Sequence, residues 1–329
     1  MRNLITDVPG LRIGHAQDLG LGSGSTAVIF DEPAVASIDL RGGGPGTRET
    51  ALLDPAQTVE GIDAITLSGG SAFGLDAASG VQAWLREQGR GFAVRSARVP
   101  IVPAAILFDL LSAGDKAWGR FPPYREFGYA AAASAAIDFA LGSVGAGTGA
   151  TTVNCKGGIG SASAQSSQGH WVGALAAVNA AGSVLVSAGP WFWAAPFEMN
   201  GEYGGRGWPA TFPPQAFEPL TKGSARESTT LVVVATDAVL TKAQAKRLAV
   251  MAQSGLSRAI YPVHSPLDGD VVFAASTGRR ALADAMLGLS ALGTLAANVV
   301  ARAIARAVFT ATALPLPGAM PGWRDQFGH

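Results

Sequence analysis

Thr229 opens the run Thr229-Thr-Leu-Val-Val-Val-Ala-Thr236, which is rich in β-branched residues and reads as a core strand. A threonine hydroxyl is a poor nucleophile and needs an adjacent base. A cut between Ser228 and Thr229 would supply one, because the new α-amino group of Thr229 would sit beside its own hydroxyl. Such an amine titrates near pH ~7.7–8, close to working pH, where a general base is most effective. The preceding segment suits a cut. Residues 190–228 lose regular patterning and hold Trp191, Trp193 and Trp208 among six prolines. A loop of that length in a compact domain is usually functional or disordered. Trp191 and Trp193 are its candidates for lining a substrate pocket.

Asp268-Gly-Asp270 places two carboxylates at the entry to a strand, Val271 to Ala275, where residues two apart share a face. They could orient an amine or bind a metal, but no third ligand is evident. The four histidines, His15, His170, His264 and His329, show no metal-ligand spacing. The single cysteine, Cys155, excludes an internal disulfide and a Cys-based zinc site, and reads as a small buried thiol that fits a reducing cytoplasm. No Gly-x-Ser-x-Gly elbow and no Walker A sequence occur. Gly145-Ala-Gly147-Thr-Gly-Ala150 fits a loose dinucleotide pattern, yet an alanine-rich helix precedes it where a strand is needed. It is better read as a tight turn.

The elements that must position these residues alternate between strand and helix along the whole chain. Strands are expected at Leu11 to Ile13, Thr26 to Phe30, Ala34 to Ile38, Ile65 to Leu67, Trp171 to Val178 and Ser183 to Val186. Helices are expected at about Phe73 to Glu87, Pro103 to Ser112, Gly128 to Leu141 and Leu292 to Val308. Thr241, with Gln244 three residues on, is the capping box of another, whose apolar stripe is Ala245, Leu248, Ala249 and Ala252. Such interleaving predicts a layered α/β sandwich. With 48% hydrophobic residues, 15% charged and a formal net charge of zero, the chain can bury a large core and lacks the basic footprint of a nucleic-acid binder. Ala285 to Ala301 is uncharged but short of a membrane span and reads as a buried helix, so no membrane partner is expected. Asp7 and Pro9 stand where a signal peptide needs an apolar run, again pointing to the cytoplasm.

Several motifs together resemble one family. Ile5-Thr-Asp-Val-Pro-Gly-Leu-Arg-Ile-Gly-His15 is similar to the opening of the DmpA-like L-aminopeptidase/D-esterases. Leu67-Ser-Gly-Gly-Ser-Ala-Phe-Gly-Leu-Asp-Ala77, Val99-Pro-Ile-Val-Pro-Ala, Val144-Gly-Ala-Gly-Thr-Gly-Ala150 and Lys156-Gly-Gly-Ile-Gly-Ser-Ala-Ser163 continue the likeness in order. Thr229 to Ala238 and Pro266-Leu-Asp-Gly-Asp270 complete it, and the last two look closest to the endo-type 6-aminohexanoate (nylon) oligomer hydrolases of that family.

The resemblance implies a four-layer αββα sandwich of the DmpA and ornithine-acetyltransferase type, formed as one domain and self-cleaved into residues 1–228 and 229–329. It implies an N-terminal-nucleophile amidohydrolase without metal or cofactor, acting on small peptides or nylon oligomers and assembled as a tetramer of processed heterodimers. By matched position, Thr229 is the nucleophile, Lys156 an active-site lysine, Asn179 the oxyanion donor, and Asp268 and Asp270 the aspartates beside the nucleophile. Two positions depart from the family pattern. Ser228 precedes the cut where Asn or Gly is frequent. Phe108, before Asp109, stands where many relatives have a tyrosine, which bears on the substrate pocket. Acyl transfer, aminopeptidase action or a non-cleaving binding homologue of the same fold are the alternatives.

Overall fold

The computed structural model describes residues 1–222 and 228–328. Its strands are β1 (Leu11–Asp18), β2 (Ser23–Leu40), β3 (Gly46–Arg48), β4 (Gly61–Ser68), β5 (Phe92–Val94), β6 (Ala97–Val99), β7 (Ala104–Ile106), β8 (Gly158–Gln165), β9 (Trp171–Asn179), β10 (Thr229–Ala238) and β11 (Val271–Arg280). Its helices are α1 (Ala77–Glu87), α2 (Tyr124–Ala133), α3 (Lys242–Ala252), α4 (Ser254–Ala259), α5 (Ala285–Thr310) and α6 (Trp323–Phe327).

Nine strands form one sheet in the order β3-β7-β4-β2-β11-β10-β9-β8, with β1 paired to β2. The long β2 joins its two halves: it pairs with β4 through Ser25–Ile29 and, after a register shift, through Ala34 and Val35, and with β11 through Val35–Leu40. Pro33, which cannot donate a ladder bond, lies at that irregularity.

Strand alternation sorts the core into layers. On β10 the even residues Val232 and Val234 face a cluster built with Leu248, Leu256, Val300 and Ile304 of α3, α4 and α5. The odd residues Leu231, Val233 and Ala235 face a second cluster with Val28, Phe30, Ile65 and Leu67 from the other half-sheet. A third cluster packs Ala27, Ile29 and Ala64 against Val81, Leu85 and Ala131 of α1 and α2. The layers are therefore helices, half-sheet, half-sheet, helices, which is the expected αββα sandwich. A strand buried on both faces must be apolar on both, and β10 is buried at every residue.

Four expected elements differ. Pro103 to Ser112 is not a helix: Ala104–Ile106 pairs with β3 and β4, and cross-strand pairing overrides an apolar run that suited either state. The alanine-rich helix stops at Ala133, because Ala136 exchanges backbone bonds with Ile13 at 2.9 and 3.0 Å instead of continuing the turn. Thr26 to Phe30 and Ala34 to Ile38 are one strand, not two. Ser183 to Val186 forms only isolated bridges, Ser183 with Tyr261 and Leu185 with Phe192. The capping box at Thr241 is present, with Thr241 N donating to Gln244 Oε1 at 2.8 Å. Helix α5 joins the two helical stretches expected at Ala285 to Ala301 and Leu292 to Val308, and starts where Asp284 Oδ1 accepts from Met286 N and Leu287 N, both at 2.8 Å. It is the one helix among the described residues long and apolar enough to cross a membrane, and most of it is buried inside the fold.

Candidate active site

The centre of the sandwich delivers Thr229 to the floor of a pocket. Thr229 is the first residue of β10 and is only 4% exposed. Its antiparallel partner on β9 is Asn179, the last residue of that strand. On the opposite side Ser228 pairs in parallel with Asp268. Thr229 Oγ1 donates to the Ser228 carbonyl oxygen at 2.6 Å, and Gly269 N donates to the same oxygen at 2.9 Å. A cavity of about 280 Å³ lies above, walled by Gly43, Gly44, Ser71, Ile106, Phe108, Pro266 and Leu267. Backbone and hydroxyl groups mix there with apolar side chains, and no charged side chain lines it among the described residues.

The two carboxylates act as clamps. Asp268 Oδ1 accepts from Ala181 N at 3.2 Å, and Oδ2 accepts from Ser265 N and Oγ at 3.0 and 2.8 Å. Asp270 Oδ1 accepts from Thr230 N at 2.8 Å, while Oδ2 meets His264 N and Nδ1 at 3.1 and 2.9 Å. Both are essentially buried. Burial first, and the neighbouring Asp270 charge second, push the Asp268 carboxyl above its ordinary value. The turn between them tolerates only glycine at 269: a Cβ there would lie 2.6 Å from Thr229 Oγ1 and 2.9 Å from the Gly44 carbonyl oxygen.

Asn179 is held at both ends. Its Oδ1 accepts from Thr151 N at 2.9 Å and Lys222 Nζ at 3.1 Å, and its Nδ2 donates to the Phe108 carbonyl at 2.9 Å. Lys156 belongs to the same loop, since Thr151 and Lys156 form a backbone bridge. Its ammonium donates to the carbonyls of Gly147, Ala150 and Gly157 at 2.9, 2.7 and 2.7 Å. This explains the glycine-rich run at 145–150: Gly147 packs on the Gly158 backbone, where a Cβ would come within 2.6 Å, and the turn carbonyls cradle the lysine.

Two effects oppose at Lys156 Nζ. Complete burial, aided by the nearby Lys222 charge, pulls its pKa down to about 7, while Asp109 favours the charged form. The unfolded chain keeps this proton up to about pH 10.4. The cost of the buried charge is therefore fully present below pH 7 and is relieved as pH rises from there towards the unfolded value. Uncut Thr229→Ala protein should gain stability between pH 7 and 9.5, by up to about 3 kcal/mol from this group. Thermal unfolding checks it: the rise should disappear when Lys156→Met is added.

Thus Thr229, Ser228, Asn179, Asp268, Asp270 and Phe108 converge, and Lys156 joins them through the Thr151 loop. Trp191 and Trp193 do not reach this cavity. Bonds from Val186 N to Trp191 O (2.7 Å) and from Trp193 N to Val184 O (3.1 Å) pin their segment to 184–186. Trp193 instead stacks on Phe212 and lines a separate aromatic cavity of about 620 Å³ with Trp208, Phe217 and Tyr261. Ser71, His264 and the Gly269 amide were not singled out from the sequence. Ser71 follows the Gly69-Gly70 turn, and His264 is legible only through its bond to Asp270.

Comparison with known proteins agrees with the fold. The family model for Peptidase family S58 matches residues 3–319. A Mycobacterium bovis protein named as an uncharacterized aminopeptidase is 44% identical over 99% of this chain and 98% of its own. A 6-aminohexanoate-oligomer endohydrolase from Kocuria sp. is 26% identical, covering 82% of this chain and 74% of its own. Among solved structures, a Burkholderia sp. β-aminopeptidase superposes with a TM-score of 0.73 at 22% identity over 99% of this chain and 92% of that one. The L-aminopeptidase D-Ala-esterase/amidase of Ochrobactrum anthropi, described as a variant of the Ntn hydrolase fold, gives 0.71 at 20% identity over 99% and 94%. With motif order, fold and family model in agreement over almost its whole length, the chain belongs to peptidase family S58 and is a hydrolase of amide bonds built on the Ntn-hydrolase fold.

Proposed function

We propose that the chain is a precursor that cleaves itself between Ser228 and Thr229, giving residues 1–228 and 229–329, and then hydrolyses small amides through an acyl-enzyme on Thr229. The observation that carries this reading is the hydroxyl of Thr229 lying 2.6 Å from the carbonyl oxygen of the preceding residue, at the first position of the central strand. In the mature enzyme the Thr229 amine takes the hydroxyl proton. The hydroxyl attacks the substrate carbonyl, and Asn179 Nδ2 donates to the oxyanion. Asp268 and Asp270 hold the strand and the 265–270 turn that frame the amine. Lys156 fixes the loop that donates to Asn179 Oδ1, and in its protonated form, which predominates below about pH 7, it favours the neutral amine and the developing negative charge. Water then releases the acyl group.

The cavity favours a neutral acyl chain of modest size, since its walls are Ile106, Phe108, Pro266 and Leu267 with uncharged polar groups between them. That suits linear amides such as 6-aminohexanoate oligomers, the substrate in the name of one relative, and small peptides cut away from their charged amino end. Assembly of processed heterodimers into a homo-tetramer in the cytoplasm is part of the same reading, with no nucleic acid, membrane or cofactor involved. Incubating the purified protein with an acyl amide, with and without an amino acceptor, tests the reaction class. Free acid with no acylated acceptor is the expected product. Acylated acceptor as the main product would make it a transferase.

A further inference from the structure

Self-cleavage and substrate hydrolysis each build a negative charge on a carbonyl oxygen, but not at the same place. In substrate hydrolysis that oxygen belongs to the bound amide. In self-cleavage it is Ser228 O, which is already fixed in the β10–β11 ladder. The register Leu231↔Val271 extends back through the bridge Ser228↔Asp268, so the bond from Gly269 N to Ser228 O is the first rung of that ladder. The donor is rigid, because Asp268 ties its own turn to Ser265 and Ala181 on one side, and Asp270 ties it to Thr230 and His264 on the other. Asn179 Nδ2, by contrast, directs one of its two N–H groups to the Phe108 carbonyl in the uncut chain.

We infer that the Gly269 N–H is the oxyanion donor for self-cleavage, distinct from Asn179, which serves the substrate. This inference rests on the cleavage reading above. The chemistry balances within the chain. Thr229 Oγ1 bonds to the Ser228 carbonyl carbon, and the electron pair of the C=O bond moves onto Ser228 O, to which Gly269 N–H donates a hydrogen bond. As the pair returns, the Ser228–Thr229 C–N bond breaks, and the proton lost by Oγ1 ends on the Thr229 nitrogen. Water then cleaves the resulting ester, leaving a carboxylate on Ser228 and a free hydroxyl on Thr229. A donor in a ladder rung needs no reorganisation when charge develops, which is the condition under which such donors are most effective.

The test removes the donor without adding a side chain. The full chain is translated in vitro with glycolic acid in place of Gly269, which exchanges N–H for an ester oxygen, and the appearance of the two fragments is followed on gels. Cleavage is expected to slow on the order of a hundredfold or more, the usual effect of losing one oxyanion donor. The hydroxy-acid analogue of valine at Val271, one rung further along, should leave the rate within a few-fold. Equal slowing at both positions would mean that the ladder matters only as scaffold, and an unchanged rate with glycolic acid would overturn the inference outright. Gly269→Ala keeps the N–H but sets a methyl 2.6 Å from Thr229 Oγ1. Rapid cleavage by the glycolic-acid chain alongside failure of Gly269→Ala would assign the glycine a steric role alone. If unmodified protein stays whole, the cleavage reading itself fails, and that result is distinct from each of the others.

Discussion

Thr229→Ala is expected to yield one uncut chain of 33.4 kDa that folds and hydrolyses no measurable amide. The substitution removes the hydroxyl and one methyl while leaving the strand register untouched. Val232, Val234 and their partners on both faces of β10 keep their packing, and Ser228 O keeps its bond from Gly269 N. Stability should therefore change little, whereas the attacking atom is lost for both reactions. Loss of a nucleophile elsewhere costs about 10⁴-fold or more in kcat, and here the loss should be near total because the amine is never released either. Thr229→Ser restores a hydroxyl at the same Cβ and should recover both processing and hydrolysis. Gel mobility and initial rates for the two variants are the measurements.

Asn179→Ala carries the second largest expected effect. With the Nδ2 donor gone, the oxyanion of the substrate loses a hydrogen bond worth roughly 3–4 kcal/mol, a kcat lower by about 10²–10³. The side chain also satisfies Thr151 N and the Phe108 carbonyl, so truncation should cost about 1–3 kcal/mol of stability as well. Asn179→Asp separates the two roles. It keeps an acceptor for Thr151 N and Lys222 but turns the donor into a second acceptor. A merely structural Asn179 would show in both variants as lost stability through the broken Phe108 bond, with kcat of the folded protein close to normal. An oxyanion donor would leave the Asp variant as slow as the Ala variant, with KM little changed.

Much of the fold was legible because burial imposes period. Strand β10 reads as a strand from its β-branched run, and α3 is announced by Thr241 and Gln244. What was hidden depends on partners distant in sequence. Residues 103–112 carry an apolar run compatible with either state, and only the β3 and β4 edges decide for strand. The alanine run after 133 has helical composition, and only Ile13 stops it. The register shift of β2 beside Pro33 becomes meaningful once two half-sheets must be stacked.

The site divides along the same line. Thr229 is conspicuous as a hydroxyl at a strand head after a broken segment, and Asp268 and Asp270 as carboxylates on one face. Lys156 and Asn179 carry no local signal and were placed through family motifs. Gly269 acts through its amide, which every residue but proline owns, so nothing in its side chain marks it. Trp191 and Trp193 illustrate the converse. Their aromatic character suggested a pocket, but bonds to 184–186 turn the segment away from Thr229 and towards the Phe212–Phe217 stack.

Intact mass of the purified protein combined with N-terminal sequencing tests the central claim most directly. The account predicts two chains whose masses sum to the precursor plus one water, the smaller beginning Thr229-Thr230-Leu231. A protein that stays whole and yet hydrolyses amides would contradict it, because no free Thr229 amine would then exist to act as the base.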